Sequence, residues 1–389
     1  MLMSKTSLLI VFVALFVFVG FASGQAPWVG RGDANDPYQI WDANDLTELG
    51  ANVDYYSAHF KLMADVNLSS FAFTKAVIAS EQTLGGSFDG VAFTGVFDGG
   101  GFVIRNITIN AFGSYLGLFG KIGSGGIVKN VGVVNASISY GSRMGILAGE
   151  NSGTIIQCYS SGSVSAGTEG YLSSLGGLAG SNSGVITRCH SSGSVYSFVM
   201  CSCAGGLVGR NESGTISFCY SNCLLDDKDE TYDVGGLVGT NYYGNISDCY
   251  AAGTVTSGNI SSNLGGLVGV NWGGNIISCY AVGAVTKGSP MGGLTAYNSG
   301  TVSDSYWDIE TSGLTTSAGG TGKTTEEMKE KVTFTNWDFF ESWCIEDKQT
   351  YPLLRLMYPS GDLNYDGRVD FKDIAVVAGN WLAGIQPEL

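Results

Sequence analysis

Residues 205–220 read GGLVGRNESGTISFCY, residues 235–250 read GGLVGTNYYGNISDCY and residues 265–280 read GGLVGVNWGGNIISCY. The same frame stands upstream as GILAGENSGTIIQCY from Gly145 and GGLAGSNSGVITRCH from Gly176. Cys158, Cys189, Cys219, Cys249 and Cys279 mark one register, spaced 31, 30, 30 and 30 by subtraction of their numbers. Weaker copies, GLFG at Gly117 and GGLTA at Gly292, flank the array. A period held this closely means one supersecondary unit stacked on itself. Within a unit the apolar residues alternate, as Ile216, Phe218 and Tyr220 do, and Gly, Asn and Ser bound the short runs. We expect two to three strands per unit, with Gly and Asn at corners that demand positive φ. A propeller blade needs four strands in about 40–45 residues, so the unit is too short for one. The predicted fold is all-β: a parallel β-solenoid, a β-helix expected to wind right-handed, with capping segments and a small C-terminal EF-hand-like loop and helix.

The register organises the chain. Residues 1–24 (MLMSKTSLLIVFVALFVFVGFASG) carry Lys5, an apolar stretch from Leu8 to Gly20 and a small-residue exit at Ala22-Ser23-Gly24. They read as a secretory signal peptide. No later segment is long and apolar enough for a transmembrane helix, so no span is expected in the mature chain. Residues 25–110 form an N-terminal capping module with the first coils, including a helix capped near Asn44 or Asp45 that would cover the open end of the stack. Residues 111–308 are the solenoid. Residues 309–358 are a polar, then Trp- and Phe-rich, C-terminal cap with a short helix expected from about Thr325. Residues 359–389 are a separate loop and helix.

A net charge of −15 excludes nucleic acid as a partner and fits a soluble extracellular protein. Nine cysteines in a secreted chain point first to disulfides. Five of them, however, recur in phase. In-register neighbours stack about 4.8 Å apart, wider than the roughly 3.8 Å between Cβ atoms that a disulfide prefers. A ladder of buried thiols is therefore expected. Cys201, Cys203 and Cys223 break the pattern and are the better disulfide candidates, Cys203 with Cys223 first. The loop CLLDDKDETYDVGG, with Asp226, Asp227, Asp229, Glu230 and Asp233, reads as a solvated surface loop.

The sharpest chemical pattern is GDLNYDGRVDFKDIAVVAGNWL near the C-terminus. Asp362, Asn364 and Asp366 stand at loop positions 1, 3 and 5, with Gly367 at the turn. Arg368 offers its carbonyl at 7, and Asp370 and Asp373 stand at 9 and 12. This is a hard-oxygen cage for Ca²⁺ with EF-hand spacing. Phe371, Ile374, Ala375, Ala378, Trp381 and Leu382 then share one helical face. The loop and helix resemble a dockerin repeat, the calcium-dependent module that docks on cohesin domains of extracellular scaffolds. The resemblance implies a cohesin-type scaffold or a cell-envelope component as partner. Dockerins of the cellulosome kind carry two such loops and this chain one, so an anchoring or sorting tag is the alternative. The central repeat, GGLVG followed by N-x-G-x-I-x-x-C-Y, resembles the GLUG motif of bacterial secreted and surface proteins. Some immunoglobulin A-cleaving metallopeptidases carry that motif. This chain has no H-E-x-x-H, so their activity does not transfer.

Candidates for catalysis are few. His190 stands where other units have Tyr159, Tyr220, Tyr250 and Tyr280, and reads as a variant of a stacked position. His59 flanks a strand with no nucleophile motif nearby. GGTGKT at Gly319 lacks the first glycine and the leading strand of a phosphate loop. A polysaccharide lyase or glycoside hydrolase on a β-helix remains the enzymatic alternative. It would need facing carboxylates or a basic residue, for which Asp89, Asp98 and Arg105 are the available set. Asp248 and Asp304 share a repeat position with Gln157, Arg188, Phe218 and Ser278, which reads as a varied exposed site. The expected function is a non-catalytic, secreted or surface-attached scaffold for adhesion or for binding carbohydrate or protein. Tyr242, Tyr243, Trp272 and Tyr297, at repeat corners, are candidates for stacking on sugars.

Overall fold

The computed structural model describes residues 26–83, 87–166, 174–197, 201–227, 231–257 and 263–355. Each coil has four strands, not two or three. In one coil these are Cys201–Gly205, Val208–Glu212, Thr215–Ser217 and Tyr220–Asp227. Each pairs in parallel with its counterpart in the coils before and after, which builds four sheets along the stack. In the order just given, sheets I, II, III and IV contain 6, 7, 10 and 13 strands. The chain is thus a parallel β-solenoid, and sheet I bounds its six complete coils.

The extra strand comes from GGLVG. The motif is a corner between sheets I and II: one strand ends at Gly205 and the next begins at Val208. A Cβ on Gly206 would lie 2.1 Å from Ser221 Oγ and 2.2 Å from the Gly236 carbonyl oxygen. Only glycine lets sheet IV and the next coil approach that closely. Leu178, Leu207, Leu237, Leu267 and Leu294 follow the paired glycines, Leu147 follows Gly145-Ile146, and all six are fully buried. On sheet III the central residue of each short strand faces in, so Phe60, Phe97, Val128, Ile155, Ile186, Ile216, Ile246 and Ile276 stack in register. Burying each of these side chains contributes about 1.5–3 kcal/mol before the entropy of ordering is counted.

Two polar ladders run inside the same core. The thiols of Cys158, Cys189, Cys219, Cys249 and Cys279 are free and buried, as expected from their register. The backbone N–H of Cys158, Cys189 and Cys219 each donates to the next Sγ at 3.4 Å. The second ladder is asparagine. Asn151, Asn182, Asn211, Asn241 and Asn271 each donate from Nδ2 to Oδ1 of the next, at 2.7–2.8 Å, ending on Asn298. Those first five amides are fully buried, so every bond satisfies a group that would otherwise carry a desolvation penalty.

Both ends of the stack are covered. Near the N-terminus a helix spans Ala43–Ala51 and buries Leu46 and Leu49; Asp42 caps it, accepting from the N–H of Asn44 and Asp45. The cap therefore lies two or three residues before the expected one. At the other end Thr321–Lys323 adds a last strand to sheet IV. Residues 324–355 then cross the outer face of that sheet as a strap. Where a helix was expected from Thr325, two 3₁₀ turns form instead, Glu327–Lys329 and Lys331–Thr333. Among the described residues no helix is long and apolar enough to cross a membrane.

Two expectations need correction. Cys203 and Cys223 do not pair. Both are buried and neither is in a disulfide; Cys203 is on sheet I, hydrogen-bonded with Ser174 Oγ at 3.2 Å, and Cys223 is on sheet IV. The acidic segment around Asp226 and Asp233 is strand, Tyr220–Asp227 and Thr231–Gly235, at both ends. Asp233 accepts from Thr240 Oγ1 at 2.7 Å and Asn263 Nδ2 at 2.8 Å. Burial pushes its carboxyl above the ordinary range, so it is not a solvated loop acid.

Candidate functional site

The residues singled out by sequence fall on three places. The first is the corner between sheets II and III. Tyr242 ends the strand Val238–Tyr242, Tyr243 follows it at φ 53°, and Trp272 ends the equivalent strand of the next coil. Tyr297 lies on the last strand of sheet II, Thr295–Asn298. These four rings remain 38%, 55%, 46% and 41% exposed, high for large aromatics. They form two pairs. Tyr242 meets Tyr243 edge-on at 4.7 Å, and Trp272 stacks on Tyr297 at 5.8 Å with 24° between planes. Gly273 lets the Tyr243 ring lie down on the following coil, since a Cβ there would be 2.5 Å from Tyr243 Cε1. Arg210, paired with Glu212 at 2.5 Å, places its guanidinium 5.3 Å from the Tyr242 ring centre. The result is an aromatic step along successive coils, held by a backbone that cannot slip register.

The second place is the outer face of sheet IV, where the residue after each ladder cysteine presents its ring. Tyr159, His190, Tyr220, Tyr250 and Tyr280 stack at 5.1, 4.7, 4.8 and 5.0 Å, with planes within 8°. His190 is thus one rung of a π-stack. Burial between two tyrosines lowers its pKa to about 4, so the ring is neutral at ordinary pH. The strap covers the C-terminal rungs. Tyr280 donates its hydroxyl to the Pro352 carbonyl at 2.7 Å. Trp343 donates its indole N–H to Asp248 Oδ1 at 3.1 Å, and Trp337 donates to the Asp304 carbonyl at 2.8 Å. Asp248 and Asp304 are therefore strap anchors and not varied exposed sites. Gln157, Arg188, Phe218, Asp248, Ser278 and Asp304 share a left-handed corner, φ 46° to 55°, and that backbone constraint is the signal the composition hid.

The third place is the N-terminal module, which does not assemble a catalytic set. Asp89 is held by the N–H of Gln82 at 2.7 Å and by Thr83. Asp98 pairs with Lys129 at 3.3 Å and accepts from Asn130 and Gly100. Arg105 is ion-paired with Asp65. Each group is committed to a different neighbour. Among the described thiols, burial pushes Cys203 up to about 11, far from a nucleophile's range. His59 lies on the strand His59–Leu62, in register with Val96. No group of three or more His, Cys, Asp or Glu that could hold a metal occurs among the described residues. Asp362, Asn364, Asp366, Arg368, Asp370 and Asp373 lie outside the described residues, as do residues 1–24, expected to be a signal peptide.

Residues 230–256 and 260–286 match the family model described as the GLUG motif. The chain carries GLUG repeats. The matched stretches span two successive coils, from the sheet I strand through the ladder cysteine. Halomucin of Haloquadratum walsbyi is 31% identical over 149 residues, covering 36% of this chain and 2% of that protein. A protein of Evansella cellulosilytica named as a Gly-rich membrane protein is 29% identical over 152 residues, covering 38% of this chain and 17% of its own length. The chain therefore spans a small part of these relatives. Among solved structures, a Bacteroides ovatus protein assigned as an immunoglobulin A1 protease superposes with TM-score 0.54 at 21% identity, covering 84% of this chain and 94% of that one. An IgA1 protease superposes with TM-score 0.52 at 16% identity, covering 77% of this chain and 24% of its own. Likeness at these identities concerns the β-solenoid fold alone.

Proposed function

We propose that this GLUG solenoid is a non-catalytic, secreted or cell-surface scaffold that binds extended glycans at its aromatic corner. The observation that carries this reading is the exposed step of Tyr242, Tyr243, Trp272 and Tyr297 on successive coils. Flat rings on a rigid stack offer sugar faces apolar contact and lose little side-chain entropy on binding. The committed, separated charges of Asp89, Asp98 and Arg105 support a scaffold over a hydrolase or lyase. The names of the sequence relatives, a mucin-like and a membrane protein, agree with a surface location.

The C-terminal tail completes the proposal. The oxygens of Asp362, Asn364, Asp366, Asp370 and Asp373, with the Arg368 carbonyl, would hold Ca²⁺ and tether the solenoid to a cohesin-type or envelope partner. A glycan array with the mature chain tests the corner. Retention is expected for the wild type and a loss of tenfold or more for Tyr243→Ala with Trp272→Ala. Depolymerisation of any array polysaccharide would overturn the scaffold reading. Calorimetry tests the tail: Ca²⁺ uptake is expected, and uptake unchanged by Asp366→Ala would remove the calcium proposal.

A further inference from the structure

We infer that the open half of the sheet IV ring ladder is a docking site for an aromatic, acidic segment of another polypeptide. The strap shows what this face accepts. Its rings bury Tyr250, Tyr280 and Tyr306 to 8%, 1% and 8% exposure. Trp343 lies 6.4 and 5.9 Å from Tyr250 and Tyr280, Trp337 lies 6.2 Å from Tyr280 and from Tyr306, and the two indoles are 4.4 Å apart. The strap holds on through the left-handed corner beside each rung, where Asp248 accepts from Trp343, and Asp304 from Asn336 at 2.9 Å. Its reach fades at Phe218 and Tyr220, which pack on the margin of its cluster.

The ladder continues past that margin in the same plane. His190 and Tyr159 keep the stacking at 4.7 and 5.1 Å and stay half-buried, and among the described residues the strap does not extend over them. The Tyr159 ring closes the row by lying on Gly132, where a Cβ would be 2.3 Å from Cζ. The corner beside His190 holds Arg188, also left-handed at φ 55°. Its Nε is buried and finds no hydrogen-bond partner. The corner thus changes sign where the strap stops. Aspartates receive N–H groups under the strap, and Arg188 offers one beyond it. An occupant must bring rings for Tyr220, His190 and Tyr159 and a carboxylate for Arg188. The strap has that composition in NWDFFESW, residues 336–343, where Asp338 and Glu341 interleave with four aromatics, Asn336 and Ser342. The surface is continuous with an interface the molecule already makes, and its charge complements an acidic segment.

The probe is a synthetic peptide of residues 334–343, FTNWDFFESW, added in trans to the full mature chain. Two readouts are taken together: peptide affinity by fluorescence anisotropy, and the rate of diethylpyrocarbonate modification at His190 against His59. Saturable binding is expected, with His190 slowed at least fivefold and His59 unchanged. Arg188→Gln should weaken binding at least tenfold. A peptide with Asn and Gln at its two acidic positions should be weakened to match while leaving the protein untouched. Absence of saturation, or a bound peptide that leaves His190 reactive, overturns the inference. So does protection that grows with protein concentration alone, which would assign the face to a second copy. Equal protection by a neutral oligosaccharide would assign it to glycan and overturns it too.

Discussion

Asn211 shows how much one side chain can carry in a repeated frame. It donates to Asn241 Oδ1 and accepts from Asn182 Nδ2, each at 2.8 Å, and it also donates to the Gly214 carbonyl at 3.0 Å. Asn211→Ala removes these bonds and leaves a donor and an acceptor buried without partners. The expected loss is about 2–4 kcal/mol by urea unfolding, since each orphaned group costs about 1–3 kcal/mol. A loss under about 1 kcal/mol would mean the ladder relaxes around the gap. His190 makes the complementary prediction. Burial holds its pKa at about 4, below the ordinary 6.5. Between those values the unfolded chain takes up a proton that the folded chain refuses. Stability should therefore be full above pH 6.5 and decline as pH falls toward 4, by about 1–3 kcal/mol after allowing for partial exposure. His190→Tyr restores an all-tyrosine ladder and should flatten that part of the profile; an unchanged slope would place its origin elsewhere.

At the scale of elements the strap is the informative case. It has little regular structure, yet it buries Trp343 fully and Met328 fully, and clusters them with Phe334 and Trp337. Trp343→Ala should cost about 3–5 kcal/mol, with an added penalty for the indole bond lost at Asp248. Hydrogen exchange should then rise first in the sheet IV strands around Tyr250 and Tyr280, and last around Tyr159. Uniform acceleration along the sheet would show that the strap is not a local clamp. Asp308 fastens the same element from the solenoid side. Burial works to raise its pKa, but the Tyr351 and Thr325 hydroxyls, each at 2.7 Å, and the N–H groups of Thr311 and Glu310 hold it below the ordinary range. That contribution is present above the unfolded value of 3.8 and is lost as pH falls below it.

For the whole molecule, each coil touches chiefly its neighbours, so stability is close to a sum of coil and interface terms. Local destabilisation should split unfolding into stages. Tryptophan fluorescence, dominated by Trp272, Trp307, Trp337 and Trp343 toward the C-terminus, should change before far-ultraviolet circular dichroism in the Trp343→Ala protein. Coincident transitions would show one cooperative unit. Dithiothreitol should leave the thermal midpoint unchanged, because no described cysteine is in a disulfide. Much of this architecture was legible in the chain. A 30-residue register, the thiol ladder and the His190 rung follow from the sequence alone, because parallel in-register stacking turns periodicity directly into neighbours in space. Four strands per coil did not follow, since the bend at Gly205–Gly206 depends on how closely sheet IV approaches from across the core. Nor did the buried asparagines, whose partners are each other. Least legible was Asp248, whose meaning comes from Trp343, 95 residues away. The sequence determines what repeats, because repetition is local; the tertiary structure decided what covers the repeat, because a strap chooses its face only when the whole stack exists.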